Sequence, residues 1–173
     1  MVAAGVGVVV LVVLVWFQPQ KLVIDERVDE TIPVATAPPA TEAPDQALPG
    51  STTEPPASIE PVELARGELG SLDHSTSGVS RLLALADGRR ILRLENFDTS
   101  NGPDLYVYLT ANPADGEEAG FDDDYVNLGR LKGNQGDQNY EVPAELDLTG
   151  HGTVVIWCDR FNSAFGAADL VPA

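Results

Sequence analysis

From Arg66 onward no apolar stretch runs far before a turn signal interrupts it: short apolar runs alternate with clusters of Gly, Asn, Asp and Pro. That rhythm leaves no room for long helices or βαβ units and predicts short strands instead. Expected strands cover residues 65–71, 79–85, 90–97, 105–110, 125–131, 139–142 and 153–158, with an eighth over 164–170. Seven or eight strands at this spacing predict an all-β domain, an antiparallel β-sandwich or barrel. Two runs are apolar on both faces and are expected at its centre. In one, Leu105, Val107 and Leu109 alternate with Tyr106 and Tyr108; in the other, Val154, Ile156 and Cys158 alternate with Val155 and Trp157. Asp87-Gly88 predicts a two-residue hairpin loop. Asn101-Gly102-Pro103-Asp104 predicts a tight turn, with Gly supplying positive φ and Pro fixing its own.

The residues before Arg66 obey different rules. Met1 to Phe17 carries no charged side chain and ends in Trp16 and Phe17, which predicts a transmembrane helix near the lower length limit for a hydrocarbon core of about 30 Å. A cleaved signal peptide would want a basic start and a small-x-small cleavage site, and the bulky Leu14, Trp16 and Phe17 stand where that site would be. No Lys or Arg precedes the run, whereas Lys21 and Arg27 follow it, so flanking charge gives no orientation. Residues 18–65 hold most of the 13 prolines among Ala, Thr, Glu and Ser. Such a composition cannot bury enough apolar surface to fold, and it predicts a disordered, extended linker. A stalk of this kind is most useful outside the cell, where it lifts residues 66–173 clear of the surface. The expectation is a single-pass cell-membrane protein with its domain on the extracytoplasmic side.

Charge excludes one class of partner. The chain has 10 Lys and Arg against 27 Asp and Glu, a net charge of −17. A polyanion requires basic stripes that release its counterions, so nucleic acid is not an expected partner.

The chemistry-bearing residues are few. Cys158 is the only cysteine, so no disulfide forms within the chain, and three readings stand: a buried small hydrophobe, a redox thiol or metal or haem ligand, or an intermolecular disulfide. Arg160, two residues on, is expected to share its face and favour the thiolate, while Asp159 and the net negative charge of the domain push the other way. His74 and His151 complete a His₂Cys donor set of the blue-copper type, but the close His and Met that normally follow the cysteine are missing. No Cys-x-x-Cys-His haem attachment motif is present either. Asp122-Asp123-Asp124, helped by Asp98 or Asp104, offers oxygen ligands for calcium without the usual Asp-x-Asp-x-Asp-Gly loop. Gly133 to Asn139 is all glycine, amide and acid, too polar for a core; it reads as an ordered connection whose side chains bond backbone groups, or as a ligand-recognition loop. No nucleophile elbow, phosphate loop or dinucleotide fingerprint occurs.

Several longer motifs together carry a resemblance. They are Gly78, Leu94-Glu95-Asn96-Phe97, the run Asn101-Gly102-Pro103-Asp104-Leu105-Tyr106-Val107-Tyr108-Leu109, the run from Leu128 to Tyr140, and Val155-Ile156-Trp157-Cys158 followed by Phe161, Phe165 and Gly166. In that order they resemble the electron-transfer DM13 domain over most of residues 66–170. The resemblance implies an all-β extracytoplasmic domain, found in some animal proteins beside DOMON and cytochrome b561 modules, with a redox role centred on one cysteine. Cys158 stands in that cysteine's place, and a redox protein partner is implied with it. The competing expectation is a non-catalytic binding or adhesion module that uses its polar loops, with calcium.

Overall fold

The two doubly apolar runs become the middle of the molecule, for the reason their alternation gives. In the computed structural model, which describes residues 24–33, 60–116 and 120–173, β6 (Leu105–Thr110) and β9 (Thr153–Cys158) lie side by side, antiparallel, with Leu105 opposite Cys158 and Thr110 opposite Thr153. Leu105, Val107, Leu109, Val154, Ile156 and Cys158 all face one core. Tyr106, Tyr108, Val155 and Trp157 face a second, smaller cluster on the outer side.

Eleven strands are formed among the described residues. Five make one sheet in the order β3 (Gly70–Ser71), β10 (Ser163–Asp169), β9, β6 and β7 (Tyr125–Arg130). Six make the other, in the order β1 (Arg27–Asp29), β8 (Gln135–Val142), β5 (Arg90–Thr99), β4 (Thr76–Ala84), β2 (Val62–Glu68) and β11 (Val171–Pro172). Leu82, Leu92 and Leu94 of the second sheet share a core with Val107, Val154 and Ile156 of the first. The result is a sandwich and not a barrel: each sheet keeps two distinct edges.

Four features differ from expectation. First, the acidic stretch before β7 supplies more than polar groups: part of it packs on the outer face of the five-stranded sheet. Phe121, from the polar stretch before β7, is fully buried there with Ala114 packed beside it. Secondly, the Asp87-Gly88 hairpin is longer than two residues. Leu85 accepts from Gly88 N–H and donates to Arg89 C=O, Gly88 takes φ +87°, and the Asp87 carboxylate accepts from Arg89 N–H. This is a turn closed by a left-handed glycine, the three-residue solution. Thirdly, Gly102 is not needed for positive φ: a Cβ there would press on the Leu105 and Phe165 side chains, so close approach is its reason.

The fourth difference concerns the linker. The expected membrane helix over 1–17 lies outside the described residues, as does the linker over 34–59, and among the described residues no helix is long and apolar enough to cross a membrane. Both described ends of the supposed disordered linker, however, are strand. Val62 opens β2, and Arg27–Asp29 pair in parallel with Gln135, Gly136 and Asp137 of β8. Composition foretells only what a segment can bury by itself. It carries no trace of ladder bonds offered by another strand.

Candidate functional site

Cys158 ends β9, and its environment follows from its place in the sheet. It pairs with Leu105 of β6 on one side and Ser163 of β10 on the other. Its side chain, fully buried, points between the two sheets with Leu105, Ile156 and Phe165 in the same core. A reactive thiol needs water access and a neighbouring cation. Arg160 does not share its face: it is exposed on the turn that follows, while the sulfur is inside.

What covers the strand end is a short connection, residues 159–162. Asp159 N–H donates to the Asp104 carbonyl at 3.0 Å, Phe161 N–H to the Cys158 carbonyl at 3.3 Å, and Asn162 takes a left-handed φ of +51° before β10 begins. Asn tolerates that conformation better than other residues with a Cβ. Phe161 stands 67% exposed at its tip, and Leu72, 41% exposed, belongs to the segment beside β10. That segment is tied down by Asp73, whose N–H donates to Ala164 C=O and whose carboxylate accepts from Ser163 Oγ at 2.7 Å. His74 lays its ring 3.8 Å from that of Phe165. Asp104 pairs with Arg130, whose guanidinium also sits 5.3 Å over the Tyr106 ring. One end of the sandwich therefore gathers the end of β9, the short turn after it, two exposed apolar side chains and a set of acids.

The other expected ligand sets are dispersed by the topology. His151 precedes β9 and Cys158 ends it, so the two stand at opposite ends of one strand. His151 Nε2 instead meets the Asp124 carboxylate at 3.0 Å, and its Nδ1 is the one buried side-chain polar atom among the described residues without a partner. His74 is stacked on Phe165, so the His₂Cys set does not assemble. The calcium set also separates. Asp122-Asp123-Asp124 lie before β7, at the far end of β6 from Asp104, while Asp98 accepts from Gln135 Nε2. Among the described residues no three His, Cys, Asp or Glu side chains come together.

Gly133 to Asn139 turns out to be more than a connection. Gln138, fully buried despite its polarity, donates Nε2–H to the Gly133 carbonyl at 2.7 Å, and its Oε1 accepts from Lys132 N–H, Gly133 N–H and the Tyr140 hydroxyl. Its side chain thus closes the turn into β8, as the polar composition suggested, but from inside the core. Burial pushes the Tyr140 phenol well above its ordinary range. On the outer face of the same sheet Arg93, 5% exposed, is held by Glu95 at 2.8 Å, Asp137 at 2.6 Å and Asn139 at 2.9 Å. Glu95 is desolvated by burial, yet its bonds to Arg93 and Arg81 outweigh this and lower its pKa. No sequence signal singled out Arg93, because buried arginines look like any others until their partners are known.

Comparison with known proteins gives one match. The family model described as electron transfer DM13 matches residues 68–170, from the end of β2 to the residue after β10. No curated protein and no solved structure matches the chain.

Proposed function

The chain belongs to the electron transfer DM13 family, and from that premise we propose that it is a membrane-tethered redox accessory module whose single thiol, Cys158, exchanges with a disulfide of a partner protein outside the cytoplasm. The observation that carries the reading is the position of Cys158. It is fully buried in the core between the sheets, at the last position of β9, where the short 159–162 turn with its few hydrogen bonds follows. Local opening that starts at that turn is the route by which the sulfur would be reached. Phe161 and Leu72 supply the apolar contact that a transient partner needs. The chemistry balances with one thiol. The Cys158 thiolate attacks a sulfur of the partner's disulfide, that S–S bond breaks as the mixed disulfide forms, and the departing sulfur takes up the proton Cys158 released. A further thiol of the partner then attacks the partner's own sulfur in the mixed disulfide, so that a new partner disulfide forms, the mixed S–S bond breaks and Cys158 leaves as the thiol; the partner's disulfides are rearranged with no net change of oxidation state. The uncharged run Met1–Phe17 supports the tether, which keeps the module at the surface where such a partner would meet it.

The test is the rate at which Cys158 reacts with a disulfide reagent in the folded chain, followed across low concentrations of urea. Opening of the turn alone exposes little surface, so the rate should barely depend on urea. A rate that rises as steeply with urea as global unfolding would mean that the thiol is reached only by unfolding, and the redox assignment would fall. Asp122-Asp123-Asp124 stand at the far end of β6 from Asp104, and Asp98 is bonded to Gln135, so among the described residues the geometry gives the calcium form of the binding alternative no assembled ligand set.

A further inference from the structure

The strand that composition hid is held differently from the rest. No residue of 24–33 is buried; Val28, Glu30, Ile32 and Pro33 are half-buried and the others exposed. Ile32 alone meets an apolar cluster, that of Leu83, Leu85 and Ile91. Polar groups do most of the holding. Asp25 accepts from Asn101 Nδ2 and Asn134 Nδ2, both at 2.9 Å, and Glu26 N–H donates to Asn134 Oδ1 at 2.7 Å. At the other end the Glu30 carboxylate meets Lys132 Nζ with both oxygens, at 2.8 and 2.9 Å, and accepts from Asn139 N–H at 2.8 Å. Arg93 donates to the Glu30 carbonyl and Asn139 Nδ2 to the Thr31 carbonyl, each at 2.9 Å.

The receiving edge is shaped for a strand. Gly133 and Gly136 leave open the space that the incoming backbone fills: a Cβ on either would collide with the carbonyl oxygen of Glu26 or Val28. Arg93 keeps its bonds to Glu95, Asp137 and Asn139 without any help from the segment. Chain connectivity does not enforce the docking either. β1 and β2 are separated by β8, β5 and β4, a distance of roughly 20 Å at ordinary strand spacing. The intervening residues 34–59 could extend roughly 80 Å.

We propose that the outer edge of β8, with Lys132, Asn134 and Asn139, is a recognition site for an extended acidic peptide strand, occupied by the chain's own residues 25–31, which it can release. The ligand chemistry is an aspartate five residues ahead of a glutamate, with backbone free to pair between them, which is recognition by strand addition. Release has a consequence for the N-terminal connection. Docked, only residues 18–24 separate the apolar run from the sheet; released, residues 18–61 do. The site uses no atom of Cys158 and stands whether or not that cysteine is redox-active.

The test uses the full chain. Glu30→Lys sets a cation against Lys132 and Arg93, so amides 26–31 should lose hydrogen-exchange protection while β4, β5 and β9 keep theirs. A fluorescent synthetic peptide of residues 24–33 should then bind the Glu30→Lys chain saturably, at least tenfold more tightly than it binds the wild type, whose site is filled. Adding Gly136→Val should abolish that binding with the core still protected. Retained protection of 26–31, loss of core protection together with them, or failure of the folded Glu30→Lys chain to bind the peptide would each overturn the proposal. So would equal binding to the Gly136→Val double variant.

Discussion

Gln138 and Cys158 show how differently two buried groups respond to replacement. Gln138 satisfies three donors and one carbonyl from within the core. Gln138→Leu keeps the volume but strands the Gly133 N–H and C=O, and an unsatisfied buried group costs about 1 to 3 kcal/mol. We expect a loss of about 3 kcal/mol in urea unfolding, with the denaturant slope unchanged. At Cys158 the order of two variants is informative. Cys158→Ser buries a hydroxyl between the sheets, at about 1 to 3 kcal/mol, whereas Cys158→Ala buries nothing polar and leaves only a small void, costing about 1 kcal/mol. Thiol exchange should vanish in both. Exchange surviving in either would mean that the measured activity is not that of Cys158.

Among the elements, the bulged pair β4 and β5 turns on one glycine of positive φ. Their register slips between Ser77 and Val79, where Gly78 takes φ +128° against the Phe97 backbone. Gly129, in β7, has nearly the same φ, +126°, but open space around it. Both Gly→Ala changes place a Cβ in a disfavoured region, and only Gly78→Ala adds a backbone collision. Gly78→Ala should therefore lower the thermal midpoint clearly more than Gly129→Ala; equal shifts would show that φ strain alone sets the cost. The strands around this bulge were legible as the short apolar runs 79–85 and 90–97 between turn signals, and β6 and β9 as the two runs apolar on both faces. Two expected runs were only half read: 65–71 divides into β2 and β3, in different sheets, and 139–142 is the second half of β8, whose polar first half looks like a connection. Strand β1 was not legible. Arg27, Val28 and Asp29 look like linker, and what makes them a strand belongs to β8: two glycines, the Asn134 amide and the Lys132 ammonium. Gln138 was hidden for the related reason that a glutamine reads as surface until its partners are assembled, and Phe121 because one aromatic in a polar stretch has no period.

At the scale of the whole molecule two electrostatic effects oppose each other. The domain from Arg66 carries 18 acidic against eight basic residues, so its compact state repels itself, and salt should relieve this. The Glu30–Lys132 pair, with about a third of each side chain exposed, is weakened by the same salt. pH separates the two further. Burial desolvates Glu30, but Lys132 and Asn139 N–H outweigh that, and with Arg93 they hold its pKa below the ordinary 4.5; Tyr140, neutral over this range, faces it too, and Arg89 and Glu141 line the same hollow. A carboxylate with a depressed pKa stabilises the docked state above about pH 4.5 and loses that contribution as pH falls through the lowered value. Acidification below pH 4.5 should thus release amides 26–31 before the sandwich unfolds. At neutral pH, raising NaCl from about 0.02 to 0.5 M, which shortens the screening length from about 20 to 4 Å, should raise the thermal midpoint while reducing protection of 26–31. If both quantities moved in the same direction, the segment would be part of the cooperative unit, and strand release would not be an event separate from unfolding.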